Sequence, residues 1–206
     1  MMRFDSFSGW FAVRAFALLL ISPILWAAPS SEEHIGPSDS ESVKLTKRLL
    51  VDTHAQTLKL LQGSRVLYEV KNIAIGSNGT GASLDKRTLD AKTPLGDFTI
   101  TAIRGSSRFH LFMGFDYPTM DYAEAALADG RISEEEYEAL NKAWHKKLPP
   151  PQTTGLGGYF GIHGIGAGNP QIHKLFNWTN GCIALTNEQI ESLAAMVEVG
   201  TQVSIR

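Results

Sequence analysis

The sequence predicts a mostly β domain of the α+β class over residues 47–206, with a helical insertion at about residues 117–151 and one C-terminal helix before the last strand. Three observations predict this fold class. Short segments alternate apolar and polar residues, as half-buried strands do. Capping boxes occur at only two places, residues 133–136 and 186–189, and glycine and proline separate most of the segments.

The strands predicted before the insertion form a hairpin followed by two longer segments. Alternation begins near Lys47, and a turn at residues 62–64 joins the two arms of the hairpin. Pro94 and Gly96 mark the start of the next strand. The predicted strand segments are residues 49–51, 57–61, 66–70 with 73–75, 98–103 and 109–115.

The predicted insertion holds two helices, residues 121–129 and a second helix from Ser133 to about Lys147. Ser133 with Glu136 forms a capping box, which is typical of a helix N-terminus. Residues 149–151 are three prolines, which end the second helix. A further capping box at residues 186–189 predicts a helix over 187–197, and residues 201–205 are predicted as the closing strand.

Two segments precede the predicted domain. Residues 1–28 combine Arg3 and Arg14 with an apolar run over 15–26, a pattern typical of a secretory signal. The run is short for a membrane span, but the cleavage site is imperfect, so an uncleaved N-terminal anchor is the alternative. Residues 29–46 are rich in Ser, Glu and Pro and are interpreted as a flexible tether.

The composition excludes one class of partner. Charged residues make up 19% of the chain and the net charge is −2, so no basic excess exists to neutralise phosphates. We therefore expect no nucleic-acid partner. One cysteine and scattered histidines give no zinc-ligand spacing, and we expect neither a metal nor a cofactor.

The only cysteine, Cys182, lies 19 positions after His163, and glycines flank both residues. A thiol becomes a useful nucleophile beside an imidazole, so we interpret Cys182 as nucleophile and His163 as general base. An inert buried thiol is the alternative for a lone cysteine. His173 is the rival base, but its surroundings predict an exposed loop.

Three neighbouring features extend this hypothesis. The backbone N–H groups around Gly181 and Cys182 are candidate oxyanion donors. Arg104 and Arg108 flank the aromatic segment 109–115, where an arginine can hold a substrate carboxylate. A solvated surface position is the alternative for both arginines.

Three motifs in this order resemble the L,D-transpeptidase catalytic domain family (YkuD-like): residues 93–98 (Thr-Pro-Leu-Gly-Asp-Phe), 162–164 (Ile-His-Gly) and 179–185 (Thr-Asn-Gly-Cys-Ile-Ala-Leu). Many family members have histidine where this chain has Asn180, which leaves His163 as the base. The insertion and the residues from Trp178 onward are most similar to the murein transpeptidase branch that also contains amidases.

The resemblance implies a β-sandwich with the cysteine and histidine at one end of a cleft. It also implies that the Gly164 carbonyl orients His163. The Cys182 thiolate would attack the diaminopimelate carbonyl of a peptidoglycan stem tetrapeptide, release D-alanine and form a thioester, which an amine resolves. The residues expected to contact substrate are Trp178, Thr179, Asn180, Tyr117 and Arg108.

The expected partners are peptidoglycan stem peptides in the periplasm or cell envelope, with an envelope lipoprotein as an alternative acceptor. Contact with a membrane is expected only through an uncleaved N-terminal anchor. If water resolves the thioester, the protein is a hydrolase of the same bonds. An inactive peptidoglycan-binding module is the alternative from a different functional class.

Overall fold

The computed structural model describes residues 46–81 and 83–206. The predicted signal or anchor lies outside the described residues, as does the predicted tether apart from its last residue. Within the described ranges, no helix combines the length and the apolar character that crossing a membrane requires.

Eight strands dominate the described chain, which confirms the predicted mostly β class. Four helices accompany the strands. The strands are β1 (Lys47–Asp52), β2 (Thr57–Gln62), β3 (Arg65–Lys71), β4 (Gly96–Ser106), β5 (His110–Phe115), β6 (Gly161–Gly164), β7 (Ile183–Leu185) and β8 (Gln202–Ile205). The helices are α1 (Met120–Ala128), α2 (Glu134–His145), α3 (Pro170–Leu175) and α4 (Asn187–Ala194).

The strands form one sheet in the order β3-β2-β1-β8-β4-β5-β6-β7. The long strand β4 belongs to both halves of this sheet: its first residues pair with β8, and its later residues pair with β5. Beyond β3, Ala74 pairs with Ala184 in β7 at the other end of the strand order. The two ends of the sheet therefore meet, and the sheet encloses its own core.

Apolar side chains from the inward-facing positions of the strands fill this core. An aromatic cluster of Phe98, Phe115, Tyr117, Tyr122 and Phe160 lies where the insertion meets the sheet, with ring centroids 5.2–6.4 Å apart. Edge-to-face rings at these distances contribute beyond the area that they bury. The cluster therefore fixes the insertion to the strands beside β6.

The predicted insertion is present, since α1 and α2 lie between β5 and β6. Both predicted capping boxes are confirmed, at Ser133 with Glu136 and at Thr186 with Gln189. The last helix ends at Ala194 rather than at residue 197. Residues 73–75 do not continue β3, because positive φ at Asn72 turns the chain toward β7.

Candidate active site

The register of two parallel strands brings the predicted nucleophile and base together. Ile162 in β6 lies opposite Ile183 in β7, so Cys182, just before β7, comes opposite Gly161. Side chains two residues apart on a strand share a face, and His163 therefore points to the same face as Cys182. Both residues line one cavity of about 920 Å³.

The ring of His163 is held from several sides and is only 2% exposed. Its Nδ1 lies 2.7 Å from the carbonyl oxygen of Gly164, as predicted from the family resemblance. Donation from Nδ1–H leaves Nε2 as the acceptor nitrogen. The Phe109 ring lies 4.2 Å from the imidazole, and the Trp178 ring lies edge-on at 5.7 Å.

Burial sets the charge state of both groups. It lowers the pKa of His163, and the nearby Arg108 charge acts in the same direction. Burial also raises the pKa of the Cys182 thiol to about 11, although a backbone hydrogen bond from Gly161 and the Lys86 charge oppose this rise. Burial therefore favours the neutral form of both the thiol and the imidazole.

The thiol lies where two cavities meet. Its Sγ donates a long hydrogen bond of 3.5 Å to the carbonyl oxygen of Tyr159. The larger cavity holds His163 and Trp178, with the two arginines on its rim. A smaller cavity of about 230 Å³ lies on the other side of Cys182 and is lined in part by Lys86 and Gln152.

Hydrogen bonds fix the loop that carries the thiol. The Thr179 hydroxyl accepts from the Gly181 N–H at 3.1 Å and donates to the Cys182 carbonyl at 2.6 Å. The buried Thr93 hydroxyl donates to the Gly181 carbonyl at 2.7 Å. Gly181 has φ +129°, and a Cβ there would lie 2.7 Å from the carbonyl oxygen of Lys92. Only glycine fits this position without movement of the backbone.

This geometry changes the role expected for Gly181. The sequence around Cys182 predicts the Gly181 N–H as an oxyanion donor, but in the structure this N–H donates to the Thr179 hydroxyl. Gly181 contributes its backbone conformation instead. It lets the chain pass closely under Lys92 and turn into β7 with Cys182 facing the cavity.

Four of the five predicted substrate contacts line the cavity beside His163, and three of them have side chains that a ligand can reach. Arg108 and Asn180 are exposed on its rim, and Trp178 is half-buried. Thr179 borders the cavity but is buried, and its hydroxyl is occupied within the loop. Tyr117 belongs to the core: it is 1% exposed, and its hydroxyl donates to the Leu156 carbonyl at 3.0 Å. Tyr117 therefore offers a substrate no polar group.

The surroundings of His173 are exposed, as expected, but they form a helix rather than a loop, and His173 itself is buried. The residue lies in α3, is 3% exposed, and lines none of the cavities that flank the thiol. Asn169 caps this helix and Pro170 occupies its first turn, a pattern that predicts a helix start. Because His173 lines neither cavity beside the thiol, it is not placed to act as the rival base.

Sequence reasoning also missed Phe109 and Lys86. Phe109 packs on the imidazole from the segment before β5, and Lys86 lies beside Gly181 and forms an ion pair with Asp90. No motif marks either residue, because both reach the site only through the folded loops. In the described part of the chain, no group of three His, Cys, Asp or Glu side chains is placed to hold a metal ion.

Fold and site together define a mostly β domain with a thiol and an imidazole facing one cleft. The chain belongs to the YkuD family, the L,D-transpeptidase catalytic domain, whose model matches residues 46–205. A comparison with curated proteins finds no match.

Two solved structures share the fold. The helical cell shape determining protein Pgp2 from Campylobacter jejuni is 20% identical, with a TM-score of 0.54 over 78% of this chain and 47% of that chain. Bd1075 from Bdellovibrio bacteriovorus is 17% identical, with a TM-score of 0.51 over 81% of this chain and 50% of that chain. This chain therefore spans about half the length of these two structures.

Proposed function

We propose that this protein catalyses acyl transfer between peptidoglycan stem peptides, with Cys182 as nucleophile and His163 as general base. The observation that carries the proposal is the β6–β7 register. It places both side chains on one face beside one cavity, while the Gly164 carbonyl holds the Nδ1 proton of His163. Nε2 is then the nitrogen that can accept the thiol proton.

The first half of the reaction forms a thioester. Nε2 of His163 takes the proton from Cys182 as the sulfur attacks the diaminopimelate carbonyl of a stem tetrapeptide. The C–S bond forms, and a tetrahedral oxyanion collapses with cleavage of the bond to D-alanine. The imidazolium gives its proton to the departing amine. Since burial favours the neutral forms of the thiol and the imidazole, we propose that proton transfer accompanies the attack of the sulfur.

The second half of the reaction regenerates the free thiol of Cys182. An acceptor amine attacks the thioester carbonyl, the new amide bond forms, and the C–S bond breaks. His163 takes the proton from the attacking amine and passes it to the leaving sulfur. An amine of a second stem peptide gives a cross-link between two diaminopimelate residues, and an amine of an envelope lipoprotein gives an attached protein. Water in the same position gives hydrolysis.

The two cavities beside the Cys182 sulfur suit different parts of the substrate. Arg104 and Arg108 on the rim of the larger cavity are suited to the free carboxylates of a stem peptide. The Lys86 charge near the smaller cavity already favours the thiolate form of Cys182. The same charge would stabilise the oxyanion that forms when the sulfur attacks the substrate carbonyl.

The cellular setting follows from the same proposal. Peptidoglycan lies outside the cytoplasmic membrane, so residues 1–28 would act as an export signal or as an anchor, and 29–46 would tether the domain in the periplasm. Pgp2 is a helical cell shape determining protein. We extend a role in cell shape to this chain, because changed cross-linking of the wall would alter that shape.

Product analysis tests the reaction. Purified wild-type protein and Cys182→Ala are incubated with tetrapeptide muropeptides, and the products are separated and weighed by mass spectrometry. We expect cross-linked dimers and released D-alanine from the wild type, a mass increase on Cys182 in quenched samples, and none of these from Cys182→Ala.

Each other outcome has a definite reading. Shortened peptides without dimers identify a hydrolase. Binding to peptidoglycan without any product from the wild type identifies an inactive binding module. Activity that survives in Cys182→Ala contradicts the assigned nucleophile. A second sample with an amine-bearing lipoprotein peptide shows whether that acceptor replaces the stem peptide.

A further inference from the structure

His173 is the buried polar side chain for which the mechanism has no use. Its Nε2 has no hydrogen-bond partner among the described residues, and the side chain is 3% exposed. Leaving a buried donor or acceptor unpaired destabilises the folded state. Such a group in a folded protein needs an explanation.

The other ring nitrogen of His173, Nδ1, connects this residue to the active site through Trp178. Nδ1 of His173 lies 3.4 Å from Nε1 of Trp178, and the two rings meet edge-on with centroids 6.5 Å apart. The same indole meets the ring of His163 edge-on at 5.7 Å. Trp178 therefore lies between the two histidines and contacts both.

The indole N–H can only donate, and this fixes the tautomer of His173. Nδ1 must accept from Trp178, so the proton of neutral His173 lies on Nε2, the unpaired atom. Charged His173 would carry protons on both nitrogens, and its Nδ1–H would face the indole N–H. The hydrogen bond to Trp178 therefore exists only while His173 is neutral.

We propose that His173 is a positioning residue. Its Nδ1 holds the Trp178 indole against the imidazole of His163, and this contact keeps that imidazole in place on the cavity that Cys182 also lines. The proposal rests on the proposed function only in assigning His163 as the base. Phe109 covers one side of that imidazole, and Trp178 meets it edge-on, so the two rings together limit its rotation.

The unpaired nitrogen distinguishes this role from simple packing. An apolar side chain of similar size would fill the same space without a buried unpaired donor, so packing alone does not favour histidine here. Histidine supplies what leucine lacks, an acceptor for the indole N–H. The charge that acts on the ring is that of Lys174 on its own helix.

Two substitutions of His173 distinguish a positioning role from simple packing. His173→Leu removes the acceptor and the unpaired donor together, whereas His173→Asn keeps an amide oxygen near the place of Nδ1. We expect His173→Leu to lower kcat about tenfold with little change in KM, because misplacement of the base by a fraction of an ångström is costly. His173→Asn should stay within about threefold of the wild type by the same reasoning.

Alkylation of Cys182 by iodoacetamide gives a readout that does not depend on any peptide substrate. It should slow by a similar factor in His173→Leu and change little in His173→Asn. The melting temperature of His173→Leu should equal or exceed that of the wild type. Trp178→Phe keeps the ring but removes the N–H, so it should match His173→Leu, and the double variant should be no slower than either single variant. His54→Leu, an exposed turn position, is the matched control.

The proposal is overturned if His173→Leu keeps the wild-type kcat and alkylation rate. It is also overturned if His173→Leu and His173→Asn lose activity equally and both melt at lower temperature, since that result describes a structural residue. If the wild type forms no muropeptide product while Cys182 alkylation still depends on His173 as described, the proposed function fails and the positioning role stands.

Discussion

The two sides of the thiol are built differently. On the side of the smaller cavity the polar groups are buried and paired with one another. Lys86 pairs with Asp90, the Arg131 guanidinium donates to the Lys86 carbonyl at 2.8 Å, and the Thr93 hydroxyl bridges the Gly76 N–H and the Gly181 carbonyl. We name this side the paired wall.

The rim of the larger cavity has the opposite character. Arg104 and Arg108 are exposed, and their guanidinium groups lie over the rings of Phe112 and Phe109 at 5.5 and 4.9 Å. Asn180 on the same rim is exposed as well. We name this side the open rim. Stacking on aromatic rings holds each arginine in place while its hydrogen-bond donors stay available.

The difference shows how the site divides its work. Buried hydrogen-bonded groups hold one geometry, which a nucleophile requires, whereas exposed charged groups can adapt to a ligand. The insertion contributes to the paired wall through Arg131, so its helices support the loop beside Gly181. Substitutions on the paired wall should therefore reduce kcat, and those on the open rim should raise KM.

The largest effect is expected from substitution of His163, the proposed general base. His163→Gln removes the proton acceptor beside the thiol and should lower kcat/KM about 10³-fold, within the range for loss of a general base. The melting temperature should change far less than the rate. His145→Gln, at the exposed end of α2, is the matched control and should keep wild-type kinetics. A His163→Gln enzyme within tenfold of the wild type would remove His163 from the mechanism.

The second prediction addresses the paired wall. Gly181→Ala places a Cβ 2.7 Å from the Lys92 carbonyl oxygen at a residue with φ +129°, so the loop must shift. We expect kcat to fall about 10²-fold, because displacement of the nucleophile by about 1 Å is enough for this loss. Gly130→Ala is the control, since φ is +71° and no atom lies within 4 Å of the added Cβ.

The control separates strain from displacement. Gly130→Ala carries only the cost of a left-handed alanine, about 1 kcal/mol, and should leave the kinetics unchanged. If Gly181→Ala loses no more activity than Gly130→Ala, the paired wall does not set the position of the thiol.

The two sides also differ in how far the sequence predicts them. The order of motifs around His163 and Cys182, the capping boxes and the alternating strands predicted the fold class, the insertion and the facing pair. Arg108 and Asn180 were also within reach, because they lie close in sequence to recognisable motifs. These features depend on local pattern, which a single sequence carries.

The paired wall was mostly beyond sequence reasoning. The Thr93 bridge joins residues 88 positions apart, and the Arg131 contact with Lys86 spans 45 positions. No local pattern encodes such pairs, because they form only when the insertion packs on the sheet. Tyr117 differs in the other direction: the family resemblance implied a substrate contact, whereas its ring packs in the aromatic cluster and its hydroxyl is already paired.

The third prediction concerns pH. The neutral imidazole is the active form of His163, so kcat/KM should fall tenfold per pH unit below its pKa, which burial places below the ordinary value of about 6.5. The Cys182 thiol, with its pKa raised to about 11, gains thiolate steadily as pH rises. Iodoacetamide alkylation should therefore accelerate from pH 7 to pH 10 without a plateau. Fast alkylation that is constant between pH 5 and pH 7 would instead show a standing thiolate–imidazolium pair.

The smallest effects are expected on the open rim, where Arg108→Gln and Arg104→Gln should each raise KM by about three- to tenfold and leave kcat nearly unchanged. The two variants should differ in one respect. The Arg108 charge helps to lower the pKa of His163, so its removal should move the acidic limb of kcat/KM to higher pH. Arg104→Gln should not move the acidic limb of kcat/KM. Arg65→Gln on the distant strand β3 should change neither KM nor the acidic limb. Equal limbs in all three variants would show that Arg108 lies too far from the imidazole in solution to influence it, and the open rim would then act on substrate binding alone.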